Sequence, residues 1–272
     1  MNRLLLIACL IATPSFAGDK ITATSNGQQT AVVELYTSEG CSSCPSADKW
    51  LASLIEVPKD ELDVLALAFH VDYWDYLGWK DRFGSPRHTS RQRQLGANNN
   101  QRSIYTPEFF VDGAEARGTK KVIEKIRSSN NKQARIQLKL SVSKTDDALQ
   151  LELHSTSPEA LSSTLHSRFI VYESQLATDV KRGENSGELL QHQQVVRHMS
   201  SARAFEDSSF YSININPEWR LENIGVAALV TTAGNETYLQ AIHTPITTLL
   251  LHKSKSFDTG PAKPSILIYA HY

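Results

Sequence analysis

Ala31-Val32-Val33-Glu34-Leu35-Tyr36-Thr37-Ser38-Glu39-Gly40-Cys41-Ser42-Ser43-Cys44-Pro45 is the stretch on which the fold turns. Thr30 to Thr37 is rich in β-branched and large apolar side chains and reads as a buried strand. Gly40 ends that run, and two cysteines follow at Cys-x-x-Cys spacing. Pro45 suits a helix start, because its missing N–H is one the first turn leaves unpaired anyway. Ala47 to Ile55 carries the helix on, with Ala47, Trp50, Leu51 and Leu54 on one face. Two thiols between a strand and a helix have the layout of a dithiol that cycles with its disulfide. Unpaired N–H groups and the helix dipole favour a thiolate at this point, which makes Cys41 the candidate nucleophile and Cys44 the resolving thiol.

Compartment decides what such a pair can do. Arg3, the apolar stretch Leu4 to Ala12, Pro14 and Ser15-Phe16-Ala17 form the pattern of a cleavable secretory signal over residues 1–17. Cleavage after Ala17 removes Cys9, the third cysteine, and places Cys41 and Cys44 in the periplasm or outside the cell, where disulfides persist. The leader is too short to span a bilayer as a helix, and no later apolar run reaches about 18 residues, so no membrane span is expected. The chain of 272 residues has 28 Lys+Arg against 29 Asp+Glu. That balance argues against nucleic acid or anionic lipid as a partner. Two cysteines are too few for a disulfide framework in a chain of this length, which points to function rather than scaffolding.

Strand and helix patterns alternate through the first half. Leu62 to Val71 reads as a second apolar strand, Thr89 to about Asn98 as a helix, Glu108 to Val111 as a short strand ended by the hairpin signal Asp112-Gly113, and Gly118 to Ser129 as a helix. After Asn130 the period changes. Ile136, Leu138, Leu140 and Val142 alternate with polar residues, as do Leu149, Leu151 and Leu153, and further strands are expected at Ser167 to Glu173, Glu188 to His198, Phe210 to Ile215, Ile224 to Thr232 and Tyr238 to Ile246. The expected architecture is an α/β thioredoxin-like domain over residues 30–129, followed by an antiparallel β-sandwich-like domain over residues 133–252 and a tail over 253–272, in which Ile266 to Tyr269 could add an edge strand.

The thioredoxin-like part of that expectation comes from resemblance. The order strand, Cys-x-x-Cys, helix, strand, helix, then Thr106-Pro107 before a short strand ending in Asp112-Gly113, resembles that superfamily. The resemblance implies a cis proline at Pro107 lying against the dithiol, with Thr106 and Pro107 holding the substrate backbone. The segments Glu34 to Asp48, His70 to Asp81, Tyr105-Thr106-Pro107, Val111-Asp112-Gly113, Gly183-Glu184-Asn185-Ser186-Gly187 and Val195-Val196-Arg197 together are similar to the DUF1223 family of secreted bacterial proteins. What that family implies is a thioredoxin-like domain, not a substrate.

Glu34 has two readings. Buried in an apolar strand seven residues before Cys41, its carboxyl would be desolvated and its pKa raised, fit to exchange a proton with Cys44; or it faces outward at an edge. The aromatic segment His70 to Arg87 also has two: a satellite core, or a wall of the site with His70 or Asp72 reaching the thiols. Glu184, Asn185 and Arg197 either orient a partner or satisfy loop backbone, and the second is the expectation. The function expected is thiol-disulfide exchange on extracytoplasmic proteins or small-molecule thiols and disulfides, with no cofactor beyond the Cys41-Cys44 couple. The rival readings are a copper-binding or copper-delivery protein using the same thiols, and a secreted binding protein in which the disulfide is a fixed clip.

Overall fold

The computed structural model describes residues 20–155, 164–234, 237–247 and 249. The expected signal peptide with Cys9, and the tail with its possible strand at Ile266 to Tyr269, lie outside the described residues. The chain runs through β1 (Lys20–Thr24), β2 (Ala31–Thr37), α1 (Cys44–Ile55) and β3 (Val64–His70). A long connection leads to α2 (Pro86–Asn98), then β4 (Glu108–Val111), β5 (Ala114–Glu115) and α3 (Thr119–Asn130). Strands alone follow: β6 (Leu138–Lys144), β7 (Ala148–Ser155), β8 (Leu165–Glu173), β9 (Leu176–Asp179), β10 (Leu189–His192), β11 (Val195–Met199), β12 (Arg203–Phe205), β13 (Ser208–Asn214), β14 (Ile224–Thr232) and β15 (Tyr238–Pro245).

Local chemistry sets several of these bounds. Ser85 caps α2 by accepting from the Arg87 N–H, and Pro86 opens the first turn. Asp112 and Gly113 both take positive φ, 48° and 77°, as the tight turn between β4 and β5 requires.

The expected α/β thioredoxin-like domain followed by an antiparallel β-sandwich-like domain is not what forms. Fifteen strands stand against three α-helices among the described residues, and strands from both halves share one nine-stranded sheet in the order β15-β14-β8-β11-β3-β2-β4-β5, with β12 beside β8. The join is made by β11. Val195 pairs in parallel with Ala68 of β3, the Ala68 N–H donates to the Gln194 carbonyl, and β11 then runs antiparallel to β8. Only β1-β6-β7-β13 form a separate antiparallel sheet, and β9 and β10 pair as a small ribbon. The change of period after Asn130 therefore marks β6 and β7, which keep a solvent side, whereas β8 and β14 are almost wholly buried and extend the first sheet.

The large sheet coils, bringing edge strand β15 back against β2. The Thr30 N–H donates to Gln240 Oε1 at 2.8 Å, and the Tyr238 hydroxyl reaches Glu34 across the coil. Val32, Tyr36, Phe69, Phe110, Ile170 and Leu229 fill the inside. Outside, α1 and α3 cover β2, β3 and β4 through Leu51, Val122 and Ile126, while the four-stranded sheet covers β8 and β14. Successive side chains of a strand face opposite ways. In β2, Val33 and Leu35 face α1, and Val32, Glu34 and Tyr36 face the inside of the coil.

Candidate functional site

Cys41 lies in the loop between β2 and α1, and Cys44 is the first residue of α1. They are joined as a disulfide with Cα atoms 5.4 Å apart. Ser43, at the N-cap, makes no side-chain cap bond, so the start of α1 keeps its positive end toward the sulfurs. Cys41 is 2 % exposed and Cys44 0 %, while Ser42 and Ser43 between them are exposed.

The loop is held from several sides. Asn185 donates to the carbonyls of Glu39 and Cys41 at 2.8 and 3.0 Å, and the Ser42 N–H donates to Glu184 at 3.0 Å. The expectation that Glu184 and Asn185 satisfy loop backbone thus finds its object: the backbone is that of the dithiol loop. Arg197 instead faces Glu173 at 3.5 Å. A Cβ on Gly40 would sit 3.1 Å from the Cβ of Trp74, so only glycine lets Trp74 approach this close. The Trp74 indole N–H donates to Thr106 Oγ1 at 2.7 Å, and the Thr106-Pro107 bond is cis. Trp74 therefore ties Thr106 to the dithiol loop. The aromatic connection thus comes beside the dithiol loop at Trp74. It also packs as expected of a satellite core, with Tyr73 and Trp74 against the inside of the coil and Phe83 clustered with Leu176 and Val195. Asp72 turns away and accepts from Thr89 at 2.5 Å.

Beneath the disulfide lies a buried polar cluster. Asp48 follows Cys44 by four residues, which puts both on one face of α1, and it is 7 % exposed. Asp48 Oδ2 lies 3.7 Å from Nδ1 of His192, whose Nε2 lies 3.3 Å from Glu39. The His192 ring meets that of His70 edge to face at 4.8 Å, and His70 Nδ1 bonds Asp81 at 2.7 Å. Asp81 in turn accepts from the Glu39 N–H, and Glu39 accepts from the Trp79 indole. Burial pushes the Asp48 carboxyl above its ordinary value and outweighs the pull of His70 and His192. Burial works to lower His70, but the Asp81 carboxylate outweighs it and raises the imidazole pKa. Asp81 moves the opposite way: burial would raise it, and His70 holds it below the ordinary value. Asp48 Oδ1 and His70 Nε2 make no hydrogen bond among the described residues.

Glu34 does not belong to this cluster. It faces the inside of the coil, away from α1, where Arg91 grips it by two bonds of 2.7 Å and Tyr36 and Tyr238 donate at 2.9 and 2.5 Å. Burial alone would raise its pKa as expected, but Arg91 and the two hydroxyls outweigh it and the pKa is lowered. An ionised carboxylate on the other face of the sheet is an anchor for α2 and β15, not a proton donor to Cys44. The acid that meets the requirement is Asp48, whose signal was a carboxylate among the apolar positions of α1. His192 carried no local signal, since only the β9–β10 ribbon brings it to α1.

Residues 32–231 match the family described as a protein of unknown function, DUF1223. The chain belongs to that family. The DUF1223 chain is also similar in structure to a crystallised protein of Agrobacterium tumefaciens, at 24 % identity and a TM-score of 0.56 over 80 % of this chain and 95 % of that one. HBP35 of Porphyromonas gingivalis is similar at 17 % identity and a TM-score of 0.62, over 90 % of this chain and 83 % of the other. At these identities the likeness is one of fold. No curated protein matches. Among the described residues of this DUF1223 protein, no helix is long and apolar enough to cross a membrane.

Proposed function

We propose that Cys41 and Cys44 perform thiol-disulfide exchange on thiols or disulfides outside the cytoplasm, using the dithiol alone. The observation that carries this reading is the disulfide at the head of α1 with the buried Asp48 carboxyl one turn behind it. A partner thiolate attacks Cys41 Sγ, the sulfur on the loop side. The Cys41–Cys44 bond breaks, and Cys44 leaves with the electron pair and takes the proton of the Asp48 carboxyl. In the reverse direction Asp48, now ionised, removes the Cys44 proton. The Cys44 thiolate then displaces the partner thiolate from Cys41. Asp48 is suited to both steps because burial raises its pKa toward that of a working acid-base group. Thr106 and Pro107, tied to the loop through Trp74, form the edge on which a partner chain would lie. The secretory leader read in residues 1–17 supports an oxidising compartment for this chemistry.

The test is capture. Cys44→Ser should accumulate mixed disulfides through Cys41 with extracytoplasmic thiols, and Cys41→Ser should accumulate none. Failure of Cys44→Ser to trap any partner, in cells where a control oxidoreductase traps its own, would sink the proposal. So would resistance of the wild-type disulfide to a mild dithiol.

A further inference from the structure

Beside Phe83, whose ring also meets those of His70 and His192, a cleft of about 930 Å³ opens between the start of α2, strand β11 and the residues that follow it. That size suits a small ligand, since such sites run to about 300–1,000 Å³. Five arginines line it, Arg82, Arg87, Arg91, Arg168 and Arg197, and no carboxylate does. Glu34 matches the charge of Arg91, and Glu173 lies 3.5 Å from Arg197. No carboxylate pairs with Arg82 or Arg87 among the described residues. Arg82 is nonetheless fixed: it donates to Thr178 Oγ1 and the Ala177 carbonyl, and its guanidinium lies 4.5 Å from the Phe83 ring centre. The first turn of α2 also holds no acidic residue, so the positive end of the helix adds to the field. His198 lies in the same recess, where burial first and then the nearby Arg87 charge lower its pKa. In a chain whose formal net charge is −1, the recess therefore keeps the charges of Arg82 and Arg87 without a carboxylate beside them among the described residues. The recess is not polar throughout, for Phe69, Phe83, Val196 and Tyr211 supply apolar surface beside the guanidinium groups.

We propose that this cleft is a binding site for a small organic anion, with its phosphate or carboxylate group held by Arg82 and Arg87 and its apolar body against Phe83, Val196 and Tyr211. Guanidinium forks suit both oxyanions, because each can take two parallel N–H bonds. The site is separate from the dithiol and does not depend on exchange activity.

Calorimetric titration of the purified protein with phenyl phosphate, 3-phenylpropionate, inorganic phosphate and 3-phenylpropan-1-ol tests it. The two organic anions should bind, inorganic phosphate more weakly, and the alcohol not at all, with affinity falling as salt rises. The source of the head group follows from which organic anion binds tighter. Arg82→Gln and Arg87→Gln should each weaken binding by about tenfold, the loss of a charge-assisted hydrogen bond, while Arg135→Gln on a distant surface leaves it unchanged. Melting curves of all three variants show whether each is folded. The proposal is overturned if no anion binds at millimolar concentration, if the alcohol binds as well as the anions, or if Arg135→Gln weakens binding as much as the cleft variants.

Discussion

Arg91→Met is the substitution whose outcome the structure specifies most fully. Glu34 is 1 % exposed, and two of the four hydrogen bonds it accepts come from Arg91. Removing the guanidinium leaves a carboxylate in an apolar interior with only the Tyr36 and Tyr238 hydroxyls. Loss of one partner of a buried ion pair costs about 3–5 kcal/mol. For a domain of this size that is a fall in Tm of about 6–20 °C. The pH dependence carries the sign. In the wild type the folded pKa of Glu34 lies below the unfolded value, so its stabilisation is present above the unfolded pKa and lost as pH falls through the folded one. Without Arg91 only the Tyr36 and Tyr238 hydroxyls oppose the burial effect, and the folded pKa rises. The penalty then appears as pH rises past the unfolded value of about 4.3 and saturates above the raised folded value. Denaturant unfolding at pH 4 and pH 8 should therefore show a smaller difference between wild type and variant at acid pH than at pH 8, where the full cost is present. The double variant Glu34→Gln/Arg91→Met should recover part of the loss, since no buried charge remains. Equal destabilisation at both pH values, or less than about 1 kcal/mol at pH 8, would refute the account, because a buried unpaired carboxylate cannot be that cheap.

Two further outcomes concern the dithiol. Asp48→Asn should slow opening of the disulfide by a small thiol by about 10²-fold, the lower end for a positioned acid. Stopped-flow rates, corrected for the thiolate fraction of the reagent, should fall in the wild type as pH rises past the elevated Asp48 pKa, and the variant should lack that limb. A parallel pH profile in the two proteins would remove Asp48 from the reaction. Asn185→Ala should lower stability by about 1–3 kcal/mol by leaving the Glu39 carbonyl without its side-chain donor and the Cys41 carbonyl with the Cys44 N–H alone. It should also speed reduction of the disulfide by loosening the loop above it. A destabilised variant with an unchanged reduction rate would show that Asn185 supports the fold without restraining the sulfurs.

Much of the local structure was legible because it rests on local chemistry. The Val-rich run of β2, Pro45 at the head of α1, and Asp112-Gly113 between β4 and β5 each state their conformation in the residue types themselves. What was not legible depends on distant partners. Glu188 to His198 reads as one strand, yet the chain turns at Gln194, with φ 50°, so that β10 pairs with β9 and β11 enters the large sheet. That one turn brings strands of the two expected domains into a shared sheet. The two readings of Glu34 could not be separated in the sequence because β2 is apolar on both faces, and periodicity cannot say which side α1 covers. His192 and His198 fit no chelating pair, and the fold sends one to the dithiol cluster and the other to the arginine cleft.

The return of β15 onto β2 also bears on how the chain acquires its structure. Tyr238 binds Glu34 across 204 residues, and Gln240 binds Thr30 across 210. Contacts of such separation place the protein among slow folders, because loop-closure entropy is met before these bonds reward it. The Glu34 carboxylate waits for Tyr238 until nearly all of the described chain exists. A polypeptide from which β15 is still missing has a coil that cannot close, so folding is completed only once that strand is present.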